Sequence, residues 1–389
     1  MEVKKLLIEK IVSNGAGLAR DRGRVVFVPF TVPGETVKVR IIKKEKDYST
    51  GIIEEIIEPS PERTDPLCPL YMKCGGCSLQ HISGSAQEKI IKNLTAEASF
   101  RNGRVELKEI GTVSGKPFSY RNRVQFHPDY SGRPGFFTKG GEGVIPVGFC
   151  PVCTEGINSF AKDPETRISG KTVVFSPGGP GYFSGGPDCS ADSAGGKKEI
   201  EVRLGNKIFF TGISCFFQSN ITMFEKVLYD IRDEVLPGGT VLDLYGGTGV
   251  IGGFVSDKAE KVVSVEADKN ASVFAEKNIK LNSFEDRKLI TEIYQVRAEV
   301  FARYGHIKKL KPRTIIADPP RSGISPLVRN SIAEAGPEKF LYLSCCHATF
   351  GRDLGFFAGK GFEIESVRVY SFYPQTEHAE ILAVLRFRL

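Results

Sequence analysis

None of the apolar runs in this 389-residue chain approaches the roughly 18–20 residues of a membrane-spanning helix, and tryptophan is absent altogether. The first absence excludes a helical integral membrane protein. The second leaves any aromatic stacking face to the 27 phenylalanines and 12 tyrosines. The opening residues, Met1-Glu-Val-Lys-Lys-Leu-Leu-Ile-Glu, carry a charged pair but no uninterrupted apolar segment or cleavage site, so no export signal is expected and a cytoplasmic location follows. The length suits two or three domains, and 41% hydrophobic residues suffice for real cores. A net charge of +7 suits a polyanionic partner, although spread over so long a chain it is a weak indication by itself.

The nine cysteines are not arranged as a disulfide framework. Without an export signal they point to a reducing compartment, where thiols serve metals and catalysis. Cys68, Cys74 and Cys77 form a C-x5-C-x2-C array with two glycines between the last pair, and Cys150-Pro-Val-Cys153 lies far downstream. Three thiolates this close can wrap one inorganic core, and a distant fourth would complete the set that an iron–sulfur cluster takes. Zinc is the alternative, since Cys74/Cys77 and Cys150/Cys153 make two C-x2-C pairs; Cys68 would then be left over. Buried, unligated thiols are the plain structural reading.

Residues 1–58 read as a small all-β unit of short β-branched runs with turns at Gly15/Gly17 and Pro33-Gly34. Arg20, Arg22, Arg24, Lys38, Arg40, Lys43, Lys44 and Lys46 make it basic, as in a nucleic-acid-binding barrel or an ordinary solvated face. Pro59, Pro61 and Pro66 mark a linker, and residues 59–215 form a central unit holding the cysteine array, a helix over Ala86 to Phe100 and an irregular β-rich stretch. Within it, Ser176-Pro-Gly-Gly-Pro-Gly-Tyr-Phe-Ser-Gly-Gly-Pro is expected to be a loop. Over 216–389 helices alternate with short apolar strands, the pattern of a parallel α/β sheet, and the runs Glu363–Tyr370 and Glu380–Phe387 are expected to pair antiparallel at one edge.

The strand Val241-Leu-Asp-Leu runs into Tyr245-Gly246-Gly-Thr-Gly249, where glycines allow close approach of a ligand. The next strand ends in Glu266, a carboxylate placed to accept from both hydroxyls of a ribose. The turn lacks the dinucleotide fingerprint spacing and no basic phosphate clamp follows, so a nucleoside without pyrophosphate fits better, namely S-adenosylmethionine. Asp318-Pro-Pro-Arg-Ser-Gly and Ser344-Cys345-Cys346-His347 follow later strands, at the carboxyl edge where α/β enzymes keep their active sites. Two cysteines there favour catalysis over small core residues.

Together these segments, with Phe217-Gln218-Ser-Asn220 and Phe372-Tyr-Pro-Gln-Thr-Glu-His-Ala-Glu380, give the chain a resemblance over almost its whole length to the RNA uracil-C5 methyltransferases, in the form with an N-terminal TRAM barrel and a [4Fe–4S] cluster. The resemblance implies a Rossmann-like methyltransferase domain after a small β-barrel and a β-rich iron–sulfur domain. It implies that Cys345 adds to C6 of uracil, that C5 then takes a methyl group from S-adenosylmethionine, and that Glu380 removes the C5 proton so that the cysteine is eliminated. Asp318 would orient the uracil and the sulfonium side, and Gln218, Tyr245, Gly246, Gly249 and Glu266 would bind the cofactor. Cys68, Cys74, Cys77 and Cys150 would hold the cluster, with Cys153 a spare fourth ligand. The segment Tyr120-Arg121-Asn122-Arg123 takes the place of a patch expected to contact RNA phosphate through Arg121 and Arg123. Phe126, Phe216 and Phe217 offer stacking faces for unpaired bases, or else pack in the core.

Members of the family commonly have Asn-Pro after the nucleophile, where this chain has Cys346-His347, and many begin the glycine turn with Cys-Gly. RNA cytosine-C5 methylation would need a cysteine in the Asp-Pro-Pro loop, and there is none. A non-catalytic cluster protein that binds RNA would have no reason to pair Cys345 and Glu380 with a cofactor turn. Barrel and cluster together resemble the enzymes of large-subunit ribosomal RNA more than those of tRNA, and the protein is expected to act as a monomer.

Overall fold

The structure, a computed structural model, describes residues 2–186, 199–283 and 289–388. Strands β1 (Val3–Ile11), β2 (Ala16–Asp21), β3 (Arg24–Pro29), β4 (Thr36–Lys44) and β5 (Tyr48–Glu58) close into a barrel in the order β1-β2-β3-β5-β4. Alternate residues point inward, so Leu6 and Ile8, Val26 and Val28, and Val37 and Val39 fill it. The barrel does not hang free. Its Ile11 and Val32 share an apolar cluster with Leu79, Ile82, Ile90 and Leu94, the last two on helix α1 (Gly84–Gly103), and the buried Glu35 is clamped by Arg63.

After α1, the short strand β6 (Gly111–Val113) leaves the central unit altogether. A five-stranded sheet follows, built from β7 (Arg123–Pro128), β8 (Pro134–Phe137), β9 (Val144–Pro146), β10 (Thr172–Phe175) and β11 (Phe183–Gly185), in the order β11-β10-β7-β8-β9. Helix α2 (Glu155–Lys162) covers it through Ile157 and Phe160. Strand β11 lies inside the glycine- and proline-rich stretch expected to be a loop, because backbone pairing to β10 asks nothing of side chains. Its closing Pro187 is outside the described residues.

The hairpin β12 (Ile200–Leu204) and β13 (Lys207–Thr211) then precedes α3 (Ile221–Glu234), β14 (Thr240–Leu244), α4 (Val250–Phe254), β15 (Lys261–Glu266), α5 (Lys269–Leu281), β16 (Ile290–Gln295), α6 (Ala298–Arg303) and α7 (His306–Leu310). The chain closes with β17 (Thr314–Ala317), α8 (Pro326–Ala335), β18 (Lys339–Ser344), α9 (His347–Gly359), β19 (Phe362–Tyr370) and β20 (Glu380–Phe387). Its eight-stranded sheet has the order β16-β15-β14-β17-β18-β20-β19-β6. Only β20 runs against the rest, inserted between β18 and β19. Helices cover both faces. Leu242, Leu244, Val263 and Val265 meet α6 to α9 on one side, while Val241, Val262, Leu341 and Leu343 meet α3 and α4 on the other.

Three details differ from the sequence reading. Strand β16 is an extra edge strand, half-exposed and rich in polar residues, so it lacks the apolar run of a central strand. The β19–β20 pair does not end the sheet, since β6 adds to β19. The boundary at 215/216 falls inside one packed unit, because Ile200, Val202, Leu204 and Phe209 of the β12–β13 hairpin share a core with α3. No helix among the described residues is long and apolar enough to cross a membrane.

Candidate active site

The parallel strands deliver their carboxyl ends to one edge, and the residues singled out in the sequence gather there. Cys345 follows the last residue of β18, and Glu380 opens β20. Ser344 pairs with Ile381, so Cys345 and Glu380 stand opposite each other where this antiparallel ladder ends. Asp318 follows β17, the other neighbour of β18, and Gln218 hydrogen-bonds to its carboxylate.

The electrostatics follow from crowding. Glu380 is buried, its Oε2 has no hydrogen-bond partner among the described residues, and burial with the nearby Asp318 pushes it well above the usual carboxylate range. Burial likewise raises Asp318 to about 7. Cys345 is pushed up to about 12, first by burial and then by the charges of Glu380 and Asp318; Arg321 pulls the other way. Cys346 differs. Burial alone would raise it, but hydrogen bonds from Thr349 and Ala348 in the first turn of α9 outweigh that and hold it below the usual thiol range.

At the other end of the site, Glu266 Oε2 accepts from the Gly247 N–H at 2.9 Å and Oε1 accepts from the Asp268 N–H at 2.6 Å. Tyr245 has a left-handed backbone (φ 63°), and Gly249 (φ 74°) packs so closely on α5 that a Cβ would lie 2.6 Å from Ala275 Cα. Gly246 has no room either: a Cβ would come within 2.1 Å of Ser264 Oγ and 3.0 Å of Asp243 Oδ2. Around this turn the buried Gln218 Oε1, Asp243 Oδ1, Tyr245 Oη and Ser264 Oγ all lack partners among the described residues. Such a set of unsatisfied polar atoms fits a polar ligand such as S-adenosylmethionine. Two residues had no role in the sequence reading. Asp243, fully buried, is raised to about 8 by burial, and Arg321 is the cation that both Cys345 and Glu380 feel. The signal for Arg321 was its place in Asp318-Pro-Pro-Arg321.

The cysteines meet in a second place. Cys68, Cys74, Cys77, Cys150 and Cys153 line one cavity of about 600 Å³. Backbone bridges Cys74–Thr138 and Arg121–Cys153 hold the two distant segments there. A hydrogen bond from Cys153 lowers Cys150 to about 7 against the effect of burial, and the same bond with burial raises Cys153. Burial raises Cys68 and Cys74, and pushes Cys77 up to about 12; the charge of Cys150 acts on all three. Among the described residues, no three His, Cys, Asp or Glu side chains gather tightly enough for one metal ion. The thiols surround a space rather than a point.

The segment leading to Glu380 is fastened to this cysteine loop. Gln375 O accepts from the N–H groups of Ser78 and Leu79, and its N–H and side chain bond both ends of the Gln87 amide.

Three of the expected RNA contacts need correction. Arg123 is not a free phosphate ligand, since its guanidinium donates to the Ile213 and Cys215 carbonyls at 2.9 and 2.8 Å and leans over the Phe175 ring. Phe126 is wholly buried against Phe136 and Phe160, and Phe217 is buried against Phe175 and Phe224, so neither presents a stacking face. Apolar neighbours on both sides claimed these rings. Phe216 is exposed, and Arg121 lines the cysteine cavity.

Comparisons with known proteins agree with this layout. Residues 197–387 match the family model of tRNA (uracil-5-)-methyltransferases, and residues 2–53 match the TRAM domain. A Treponema denticola protein described as an uncharacterized RNA methyltransferase is 31% identical, with 94% of each chain covered. One from Aquifex aeolicus with the same description is 28% identical over 99% of this chain and 98% of its own. The crystal structure of Pyrococcus abyssi tRNA (uracil-54, C5)-methyltransferase with S-adenosyl-L-homocysteine superposes with a TM-score of 0.73, covering 98% of this chain and 100% of that one at 21% identity, a likeness of fold.

Proposed function

This chain belongs to the RNA (uracil-5-)-methyltransferase family and is an RNA methyltransferase, and from that premise we propose that it methylates C5 of uridine through a covalent adduct on Cys345. The observation that carries the reading is the facing of Cys345 and Glu380 across the end of one ladder, with Asp318 and Arg321 around them. The Cys345 thiol gives up its proton to solvent, Sγ forms a bond to C6, and the electron pair of the C5–C6 double bond moves onto C5 and O4. Gln218, Glu266 and backbone N–H groups at the glycine turn would hold S-adenosylmethionine, whose sulfonium would supply the electrophilic methyl group for C5 and leave as S-adenosylhomocysteine. Glu380 then takes the C5 proton, the pair left behind restores the double bond, and the Sγ–C6 bond breaks. Burial makes the ionised Glu380 carboxylate a stronger base than a solvated one, and Arg321 opposes the burial and carboxylate charges that raise Cys345.

Cys346 has the lower thiol pKa but sits at the N-cap of α9, one residue beyond the position that faces Glu380, so we assign addition to Cys345. Cys345→Ala should abolish turnover and covalent trapping on 5-fluorouridine RNA, whereas Cys346→Ala should keep both. Glu380→Gln should accumulate a methylated protein–RNA adduct on ordinary uridine. An essential Cys346, or normal turnover by Glu380→Gln, would overturn the assignment.

We propose that Cys68, Cys74, Cys77 and Cys150, four of the five cysteines that line one cavity, hold a [4Fe–4S] cluster, with zinc the alternative. Such a cluster would brace the loop that bonds Gln375, and no chemical step passes through it. For the substrate we propose large-subunit ribosomal RNA, acted on by a cytoplasmic monomer. Mass mapping of 5-methyluridine in ribosomal and transfer RNA, from cells with and without the gene, tests this; loss from tRNA alone would replace it.

A further inference from the structure

A second cavity, of about 530 Å³, lies on the catalytic edge but contains none of Cys345, Asp318 or Glu380. Its position follows from topology. Strand β6 runs parallel to β19 and hence to β18, so the chain leaving β6 at Ser114 emerges at the same edge as Cys345. The first turn of α3 forms the facing wall.

Its chemistry is one-sided. No Asp or Glu lines the cavity, while Lys116 and Lys226 do, both exposed. Lys226 Nζ donates to the Ser114 carbonyl at 3.0 Å, and neither lysine forms an ion pair among the described residues. Asn220 caps the α3 N–H of Met223 at 3.1 Å, which leaves the N–H groups of Ile221 and Thr222 to the cavity. An independent observation points the same way. Asn122 is only 3% exposed, yet its buried Oδ1 has no partner among the described residues, although its main chain is satisfied by Ser219 and Ser176. Thr154, at the N-cap of α2, makes no side-chain cap bond, and its buried Oγ1 likewise has no partner among the described residues. A buried polar group left unpaired is costly, because it has lost its water without gaining a partner. A ligand carrying a negative charge at one end and both donors and acceptors at the other would satisfy all of them.

We propose that this cavity holds a nucleotide of the substrate RNA other than the target uridine. Its phosphate lies against Lys116, Lys226 and the first turn of α3, and its base edge or ribose hydroxyl meets Asn122 and Thr154. This deepens the RNA methyltransferase reading and rests on it.

The test is equilibrium binding of a substrate RNA fragment over a range of salt, with methylation kinetics alongside. The double variant Lys116→Ala/Lys226→Ala should bind about tenfold more weakly, with a salt slope shallower by about 0.7, the contribution of one single-strand phosphate. Its kcat at saturating RNA should stay within about twofold. Fragments carrying a single abasic residue, moved along the sequence, should reveal for the wild-type protein one position outside the target that weakens binding. Asn122→Leu should erase that penalty. Unchanged affinity and salt slope in the lysine variant would overturn the inference, as would a loss of kcat with unchanged affinity. Both lysines are exposed, so their variant folds even if Asn122→Leu does not. A wild-type protein that binds no RNA would instead refute the family-based reading.

Discussion

Asp243 shows how much one buried carboxyl can govern. Its Oδ2 accepts from the Gly252 N–H at 3.1 Å, Oδ1 has no hydrogen-bond partner among the described residues, and burial raises the group to about 8. Below about pH 4 the group is protonated in both folded and unfolded chains and costs nothing. As pH rises from there to about 8 the unfolded chain releases a proton that the folded one keeps, so stability falls by about 1.4 kcal/mol per unit. Melting temperature measured against pH should therefore decline across that window, and Asp243→Asn should flatten the decline. At the cysteine cavity the contrast is between neighbours. The charge of Cys150 bears on Cys68, Cys74 and Cys77, while Cys153 is the hydrogen-bond donor to Cys150. Anaerobically purified protein should hold about four irons; Cys150→Ser should lose most of them, and Cys153→Ser should retain them. Stoichiometric zinc without iron would refute the cluster.

At the scale of single elements, the turn between β14 and α4 is fitted too tightly to vary. A Cβ on Gly246 would meet Ser264 Oγ at 2.1 Å and Asp243 Oδ2 at 3.0 Å, and both lie in strands fixed from two sides. Gly246→Ala should therefore push the turn outward. The expected result is a loss of about 1–3 kcal/mol of stability, with S-adenosylmethionine bound at least tenfold more weakly in calorimetry. The loop before β20 is held by a different device. Gln375 is a non-glycine residue at φ 75°, kept there by Ser78, Leu79 and the reciprocal Gln87 amide. Those contacts aim Glu380 at Cys345 from 288 residues away in sequence.

Across the whole molecule, the central unit and the catalytic sheet touch backbone to backbone. Where α1 crosses α9, a Cβ on Gly351 would lie 2.2 Å from the Ala98 carbonyl oxygen, one on Gly355 would lie 2.3 Å from that of Gly103, and one on Gly103 would lie 2.1 Å from that of Gly351. Neither helix can yield without moving as a body. Gly351→Ala should therefore cost about 3 kcal/mol, read from the denaturant midpoint. Because α9 starts just after Cys346, it should also lower kcat. The barrel is built in just as firmly: Lys10 pairs with Glu97 of α1 at 2.7 Å, and Lys139 of the central unit lies 3.6 Å from the Phe30 ring centroid.

The amino-acid order by itself determined the barrel and the parallel sheet and singled out the candidate site residues, because each rests on a short-range signal. Alternating β-branched residues make a strand wherever they occur, and glycines after Val241-Leu-Asp-Leu make a ligand turn from local backbone freedom alone. The strands β6 and β16 were not legible, since a short or polar edge strand carries no periodic apolar signature. The burial of Phe126 and Phe217 and the tying of Arg123 to the Ile213 and Cys215 carbonyls were likewise decided by neighbours distant in sequence. The same holds for the electrostatics of the site: Cys345 and Cys346 are identical side chains, and only the tertiary structure sets one between two carboxylates and the other at a helix N-terminus. Charge interactions act through space and burial rather than along the chain.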